Sequence, residues 1–177
     1  VKVSSKKALE DYLKNNKESV LNLGCGKSKP KNHFGIDIRK FDGVDLVCDL
    51  NKGIPLPDNS FKVVIAQDFL EHTLPQNNIK IMEEIYRVLD FGGHFHFIVP
   101  STDGNNMGAF QDPTHFSYWN EKKFWYFFDD KFGNGFRSLY DIKSYFHPLG
   151  LETFYNEYNV TYVRGVLEKP KKESNES

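Results

Sequence analysis

The chain has 177 residues, 39% hydrophobic and 27% charged, a length and balance that suit one folded domain with a proper core. Its formal net charge of -1 supplies no overall basic field for a nucleic acid backbone. No stretch approaches the ~18 consecutive apolar residues of a membrane span, and no apolar N-terminal run resembles a secretory leader. Cys25 and Cys48 lie far from any CxxC spacing, so a reduced, cytoplasmic protein is expected.

Residues 5–15 carry Ala8, Leu9, Tyr12 and Leu13 at helical spacing and predict a short leading helix. "SVLNL" runs into glycine and reads as a buried strand. "FGIDI" and "VDLVCDL" follow as the second and third strands, and "FKVVIAQ" is the fourth, after the turn cluster "PLPDNS". Pro75 suits the first turn of a helix running through "NNIKIMEEIYRVL", with Ile79, Met82, Ile85, Tyr86 and Leu89 on one side. Phe91-Gly92-Gly93 reads as its stop and "HFHFIVP" as the fifth strand. Strands alternating with helices or short connections predict a mostly parallel α/β sheet.

The C-terminal third changes character, since eighteen of the 27 aromatic residues lie after Ala109. "NEKKFWYFFDD" reads as a capped helix that is aromatic nearly all round, and "LETFYNEYNVTYVRGVLEKP" as two strands of a closing hairpin. Residues 1–168 are expected to form a single domain, with an aromatic-rich region at about 101–150 on the substrate side. Residues 169–177 are polar and charged, and a disordered tail is expected there.

The stretch "VLNLGCGKSKPKNHFGID" concentrates the chemistry. Gly24 and Gly26 lack Cβ atoms, so the backbone there can turn tightly and approach a ligand. Asp37 ends the second strand, where a carboxylate can accept both hydroxyls of a ribose. A dinucleotide would also need a third glycine and a helix N-terminus for its pyrophosphate. Lys27-Ser28-Lys29 stand there instead, and the connection is at the lower limit of ~10–12 residues for a parallel crossover. Pro30 disfavours helix at Lys29, so 26–33 should be a loop with at most one or two helical turns. The flank so exposed would then be covered by the leading helix or a partner chain. An adenosine-like ligand without pyrophosphate fits these residues; a glycine turn in an unrelated sheet is the alternative.

The order of motifs adds to this reading. "VLNLGCG", "GIDI", "VCDL", "LPDNSFKVVIAQDFLEH" and "EIYRVLDFGGHFHFIVP" together resemble the class I S-adenosylmethionine-dependent methyltransferases, over residues 19–100. "LNLGCGKSK" with its short step to "GIDI", and "QDPTHFSYW" further on, are similar to a compact subgroup with a shortened first crossover. The resemblance implies a Rossmann-like three-layer sandwich whose seven-stranded sheet is mostly parallel, with an antiparallel last strand. It implies S-adenosyl-L-methionine as cofactor and S-adenosyl-L-homocysteine as product. Matched residue by residue, Gly24, Cys25 and Gly26 face the methionine portion, Asp37 the ribose and Ile38 the adenine. Asp49 with Leu50 falls near the adenine amino group, and Gln67 and Asp68 fall beside the methionine and the reactive methyl. Asn22 departs from the acid that many members carry, which weakens the case for recognition of the cofactor ammonium.

Other features read as structural. Glu84 and Arg87 form an i,i+3 pair worth a few tenths of a kcal/mol. Gly92-Gly93 is a turn, Cys25 a small loop residue, and Lys27, Lys29 and Lys31 a solvated loop. His94 and His96 point to one side of a strand with no third ligand at a matching spacing, so no metal site is expected from them.

On the acceptor side the expected residues are Asp68, His72 and His115, with His115 the proton acceptor if one is needed. Asp112-Pro113 should hold it inward in an extended turn. The expected reaction is SN2 methyl transfer to an oxygen or nitrogen of a small-molecule, sugar or nucleotide metabolite. Methylation of a nucleic acid base is one alternative, although "AQDFLEH" stands where amino-methylating DNA enzymes carry an acid-Pro-Pro-aromatic tetrad. A non-catalytic cofactor-binding partner subunit is the other.

Overall fold

The structure, a computed structural model, describes residues 3–104 and 108–172, with side chains from residue 7 onward. Its strands are β1 (Val20–Leu23), β2 (Phe34–Asp37), β3 (Leu46–Val47), β4 (Phe61–Gln67), β5 (Leu89–Pro100), β6 (His147–Tyr155) and β7 (Thr161–Glu168). They form one seven-stranded sheet in the order β3-β2-β1-β4-β5-β7-β6. The first five are parallel, and β7 runs antiparallel to both β5 and β6. The Rossmann-like α/β sheet with an antiparallel last strand is therefore present.

Strand alternation separates two faces. Leu21, Val64, Phe95 and Leu167 sit in register across four strands, and all are fully buried. On the other face their neighbours Asn22, Ile65, His96 and Val166 are only half-buried. The buried face takes α2 (Asn78–Val88), which contributes Ile81, Met82, Ile85 and Val88 to the core. The expected buried side of this helix was different: Ile79 is 39% exposed and Leu89 already belongs to β5. The buried set Ile81, Met82, Ile85 and Val88 keeps the i, i+1, i+4, i+7 spacing of one helix face, and a 3-10 turn over Pro75–Asn77 precedes it.

Nor is Phe91-Gly92-Gly93 the helix stop. The chain becomes extended at Leu89, and Gly92, at φ +73°, lies in an irregular stretch of β5. Between matched pairs Phe61↔Leu89 and Val63↔His94, β5 advances further than β4, a bulge that re-aims the strand.

The connection 24–33 contains no helix. Lys29 takes part of its place. Its side chain, only 6% exposed, lies over Gly35 and pairs with Asp45 at 3.0 Å, so it is no solvated loop residue. The leading helix α1 (Val3–Asn15) packs Tyr12 against the rings of Phe34 and Phe61. The Tyr12 hydroxyl accepts from the Val20 amide at 2.9 Å and donates to the Asn32 carbonyl at 2.9 Å.

Glu84 and Arg87 form more than a surface pair. Glu84 accepts from the Ile54 amide at 2.7 Å, while Arg87 donates to the carbonyls of Ile54 and Leu56 and to Asp58. Together they pin the loop that leads into β4.

Between β5 and β6 lie α3 (Glu121–Phe124), a 3-10 turn over Trp125–Phe127, and α4 (Lys131–Tyr140). Asn120 caps α3 by accepting from the Lys123 amide, as the sequence predicts, but the helix is only four residues long. Phe124 stacks on Phe97 at 4.0 Å, and Trp119, Phe124 and Phe146 are fully buried, so these aromatics extend the core. Helix α4 gave no clear sequence signal because Gly133, Asn134 and Gly135 are weak helix formers. Asp130 starts it by accepting from the Gly133 amide, and a side chain at Gly133 would collide with the Phe128 carbonyl.

The expected tail begins later than position 169. Lys169 is 4% exposed and donates to Asn59 and to the carbonyls of Tyr86 and Leu89. The remainder of that expectation, residues 173–177, lies outside the described residues.

Candidate active site

Two cavities open at the carboxyl ends of the parallel strands, where ligands of α/β sheets bind. The first, about 660 Å³, is lined by Gly24, Asp37, Ile38, Asp49, Leu50 and Asp68, six of the residues expected at the cofactor. Gly24 and Gly26 have φ of +62° and +56°, a conformation that side chains resist. A Cβ at Gly24 would also come within 2.8 Å of the Phe69 ring.

Asp37 is 8% exposed. One carboxylate oxygen accepts from the Gly26 amide at 2.9 Å and the other from the Arg39 amide at 2.8 Å. It thereby ties the glycine loop to the chain leaving β2, and each oxygen keeps a second lone pair. Ile38 is 65% exposed beside it, an apolar surface at the cavity. Asp49 accepts from the Asn51 amide at 3.1 Å and caps the 3-10 turn that starts at Leu50.

Three expected cofactor residues do not line this cavity. Cys25 is buried behind the loop, its thiol pushed up to about 11 chiefly by burial, and its amide donates to the Ile36 carbonyl. The Gly26 amide is directed to Asp37 rather than outward. Gln67 lines a separate cavity of about 470 Å³ with Ile65 and His96, because alternation along β4 sends it to the half-buried face. Phe69, His72, Thr114 and Phe116 line the cofactor cavity without having been expected there.

The second cavity, about 590 Å³, is lined by Asp68, Glu71, His72, Asp112 and His115, with a wall from Tyr158 of the β6–β7 turn and Tyr162 of β7. The three residues expected on the acceptor side are thus brought together. Asp68 follows β4 at φ +46°, a conformation uncommon outside glycine, and its amide donates to the Ile98 carbonyl. Burial raises its carboxyl above the usual range, with His72 and His115 opposing the rise. A 3-10 turn over Leu70–His72 then places His72.

His115 arrives from far along the chain. Asp112 accepts from the Thr114 amide and hydroxyl, both at 2.7 Å, and forms the tight turn before it. Ser117 donates to the Leu70 carbonyl at 2.7 Å, and the Trp119 indole donates to the same oxygen and to Ser117. The amides of Phe116 and Ser117 donate to the Glu71 carbonyl. This network fastens the loop to the Leu70–His72 turn, leaving the two imidazoles edge to face at 5.1 Å.

Each ring has a backbone carbonyl at Nδ1: Thr114 for His72, at 3.2 Å, and Ala109 for His115, at 2.9 Å. A carbonyl only accepts, so each Nδ1 carries a proton and each Nε2 is the nitrogen turned away from these carbonyls. Glu71, 1% exposed, lies beside them with one carboxyl oxygen 4.0 Å from His115 Nε2. Burial pushes its carboxyl up to about 8, with Asp68 and Asp112 adding to the effect. Glu71 is the main residue absent from the sequence expectation, although it stands next to His72 in "DFLEH".

Residues 21–97 match the family model described as a methyltransferase domain. Over that stretch the chain is similar to methyltransferase domains. No curated protein matches the sequence significantly. Solved structures match its fold. One is the 1,6-didemethyltoxoflavin-N1-methyltransferase of Burkholderia thailandensis with bound 1,6-didemethyltoxoflavin and S-adenosylhomocysteine. It is 13% identical with a TM-score of 0.60, the match covering 96% of this chain and 79% of that one. Another is a W203A mutant of the 16S rRNA (adenine(1408)-N(1))-methyltransferase from Catenulisporales acidiphilia, 7% identical, covering 98% and 95%, TM-score 0.63. A third is a SAM-dependent methyltransferase from Archaeoglobus fulgidus, 17% identical, covering 93% and 92%, TM-score 0.61. Among the described residues, no helix is long and apolar enough to cross a membrane.

Proposed function

We propose that the protein transfers a methyl group from S-adenosylmethionine to an oxygen or nitrogen of a small-molecule, sugar or nucleotide metabolite. The observation that carries this reading is that the two cavities meet at Asp68 and His72, which line both. A ligand filling the first cavity would present its reactive end to an acceptor held in the second.

The remaining lone pairs of Asp37 accept the ribose hydroxyls, Ile38 and Leu50 flank the adenine, and Asp49 lies toward its amino group. Gly24 lets the backbone approach the methionine portion. The cofactor supplies a methyl already activated on a sulfonium. The protein's main task is then to align the acceptor and exclude water. Asp68, His72 and His115 form the acceptor side, where the histidines hold Nε2 lone pairs ready for a proton or an electrophile.

A small acceptor fits the charge of the second cavity. Among its described lining residues none is Lys or Arg, so the cavity offers no cationic partner to a phosphate backbone. Both cysteines are free thiols, which suits a reducing, cytoplasmic setting.

Calorimetry with S-adenosylhomocysteine tests the first cavity, with saturable 1:1 binding expected. Incubation with labelled methyl donor and cell extract, fractionated into metabolites, protein and nucleic acid, tests the second. Label entering small metabolites supports the proposal, and label confined to RNA or DNA overturns the choice of acceptor.

A further inference from the structure

Glu71, His72 and His115 bring one carboxyl and two imidazoles together at the floor of the second cavity. Both imidazoles direct Nδ1 to backbone carbonyls, which leaves Nε2 of each ring free of those contacts. One Glu71 oxygen faces His115 Nε2 at 4.0 Å, too far for a hydrogen bond. The other Glu71 oxygen is buried with no hydrogen-bond partner, although the residue is only 1% exposed. Buried polar atoms rarely go unpaired, so something that accepts electron pairs is missing from the centre of this cluster.

We propose that Glu71, His72 and His115 bind a divalent first-row metal ion at the floor of the acceptor cavity. One ligand atom from each residue already lies within 4.8 Å of the others. Zinc bonds of ~2.0–2.2 Å need them somewhat closer, a contraction that rotation of the exposed His72 side chain provides. Metal-ligating histidines commonly donate their other ring N–H to a carbonyl or carboxylate, which fixes the ring and its tautomer. Thr114 and Ala109 already supply such carbonyls. Two imidazoles and a carboxylate suit a borderline ion better than Mg²⁺, which favours oxygen ligands and water.

Three protein ligands leave a coordination position open, as in catalytic zinc sites. The open side faces the cavity that Asp68, Asp112 and Tyr162 also line. An acceptor bearing a hydroxyl or carboxylate oxygen would complete the coordination there, which narrows the acceptor from oxygen or nitrogen to oxygen. That narrowing rests on the proposed function; the metal site itself does not. With the ion bound, His115 is a ligand rather than a proton acceptor.

The test uses untagged protein freed of metal by a chelator, then titrated by calorimetry with Zn²⁺ and, separately, Mg²⁺. The expected result is one Zn²⁺ per chain, with much weaker Mg²⁺ binding. Glu71→Gln and His115→Ala should each weaken Zn²⁺ binding at least ~10-fold. Binding of S-adenosylhomocysteine, measured with chelator present, should be unchanged in the wild type and both variants. That readout separates failure of this site from failure of the cofactor assignment. Anomalous scattering from wild-type crystals grown with Zn²⁺ needs no variant and should give a peak between the two Nε2 atoms. No stoichiometric uptake by wild-type protein, uptake unaffected by both substitutions, or an anomalous peak elsewhere would overturn the proposal.

Discussion

The two cavities share a wall at Asp68 and His72 but are assembled differently. The first is shaped largely by backbone: two glycines at positive φ, a carboxylate clamped between two loop amides, and a capped turn after β3. Much of it comes from strands that are neighbours in sequence as well as in the sheet. The second depends on side chains that meet across the chain, with Ser117 fastened to a carbonyl 47 residues away. A site built on local backbone needs particular residues at particular spacings. A site built on long-range hydrogen bonds needs a core to hold it.

This comparison can be broken by separating the two sites. Trp119→Ala strikes the acceptor side hardest, because the indole is fully buried and donates to the Leu70 carbonyl and to Ser117. A loss of about 3–5 kcal/mol is expected in urea unfolding. Under folding conditions S-adenosylhomocysteine affinity should stay near that of the wild type; an equal collapse of affinity would show that the two cavities are not separable.

Asp37→Ala tests the cofactor side. Loss of charged hydrogen bonds to the ribose and the loop should weaken S-adenosylhomocysteine by about 1.5–3 kcal/mol in calorimetry. Unchanged affinity would remove Asp37 from the ribose assignment. Next come the glycines. Gly26→Ala has open space for its Cβ, so it should cost only the left-handed backbone strain, about 1–2 kcal/mol of stability. Gly24→Ala carries the same strain plus contact with Phe69. It should therefore exceed Gly26→Ala in both stability loss and cofactor weakening, and the reverse order would contradict the geometry.

The smallest effect is expected from Tyr12→Phe, which leaves the ring packing and removes the hydroxyl bonds to Val20 and Asn32. Thermal unfolding should report about 0.5–1.5 kcal/mol. No change at all would mean that α1 covers the shortened crossover by packing alone.

Periodic and punctuated segments were legible in the sequence. "FKVVIAQ" is β4 residue for residue, and the hairpin of "LETFYNEYNVTYVRGVLEKP" is present, although its first strand starts earlier, at His147. Pro30 and the missing glycine correctly forecast a crossover without a full helix. The phase of α2 was not settled by its apolar pattern, because Ile79, Tyr86 and Leu89 compete with Ile81 and Val88 for the buried face that holds Met82 and Ile85. Helix α4 was hidden by its glycines, which its packing against Phe128 requires.

The sequence by itself determined the order of strands and the positions where the backbone must be left-handed or a carboxylate must end a strand. These are local demands of turn geometry and residue type. Only the tertiary structure decided that Gln67 turns away from the cofactor cavity, that Lys29 fills space left by the absent helix, and that Glu71 joins the two histidines. Those outcomes depend on which face of a strand is covered and on which distant segment packs against it. Sequence spacing does not encode these contacts, whereas core packing and long-range hydrogen bonds fix them.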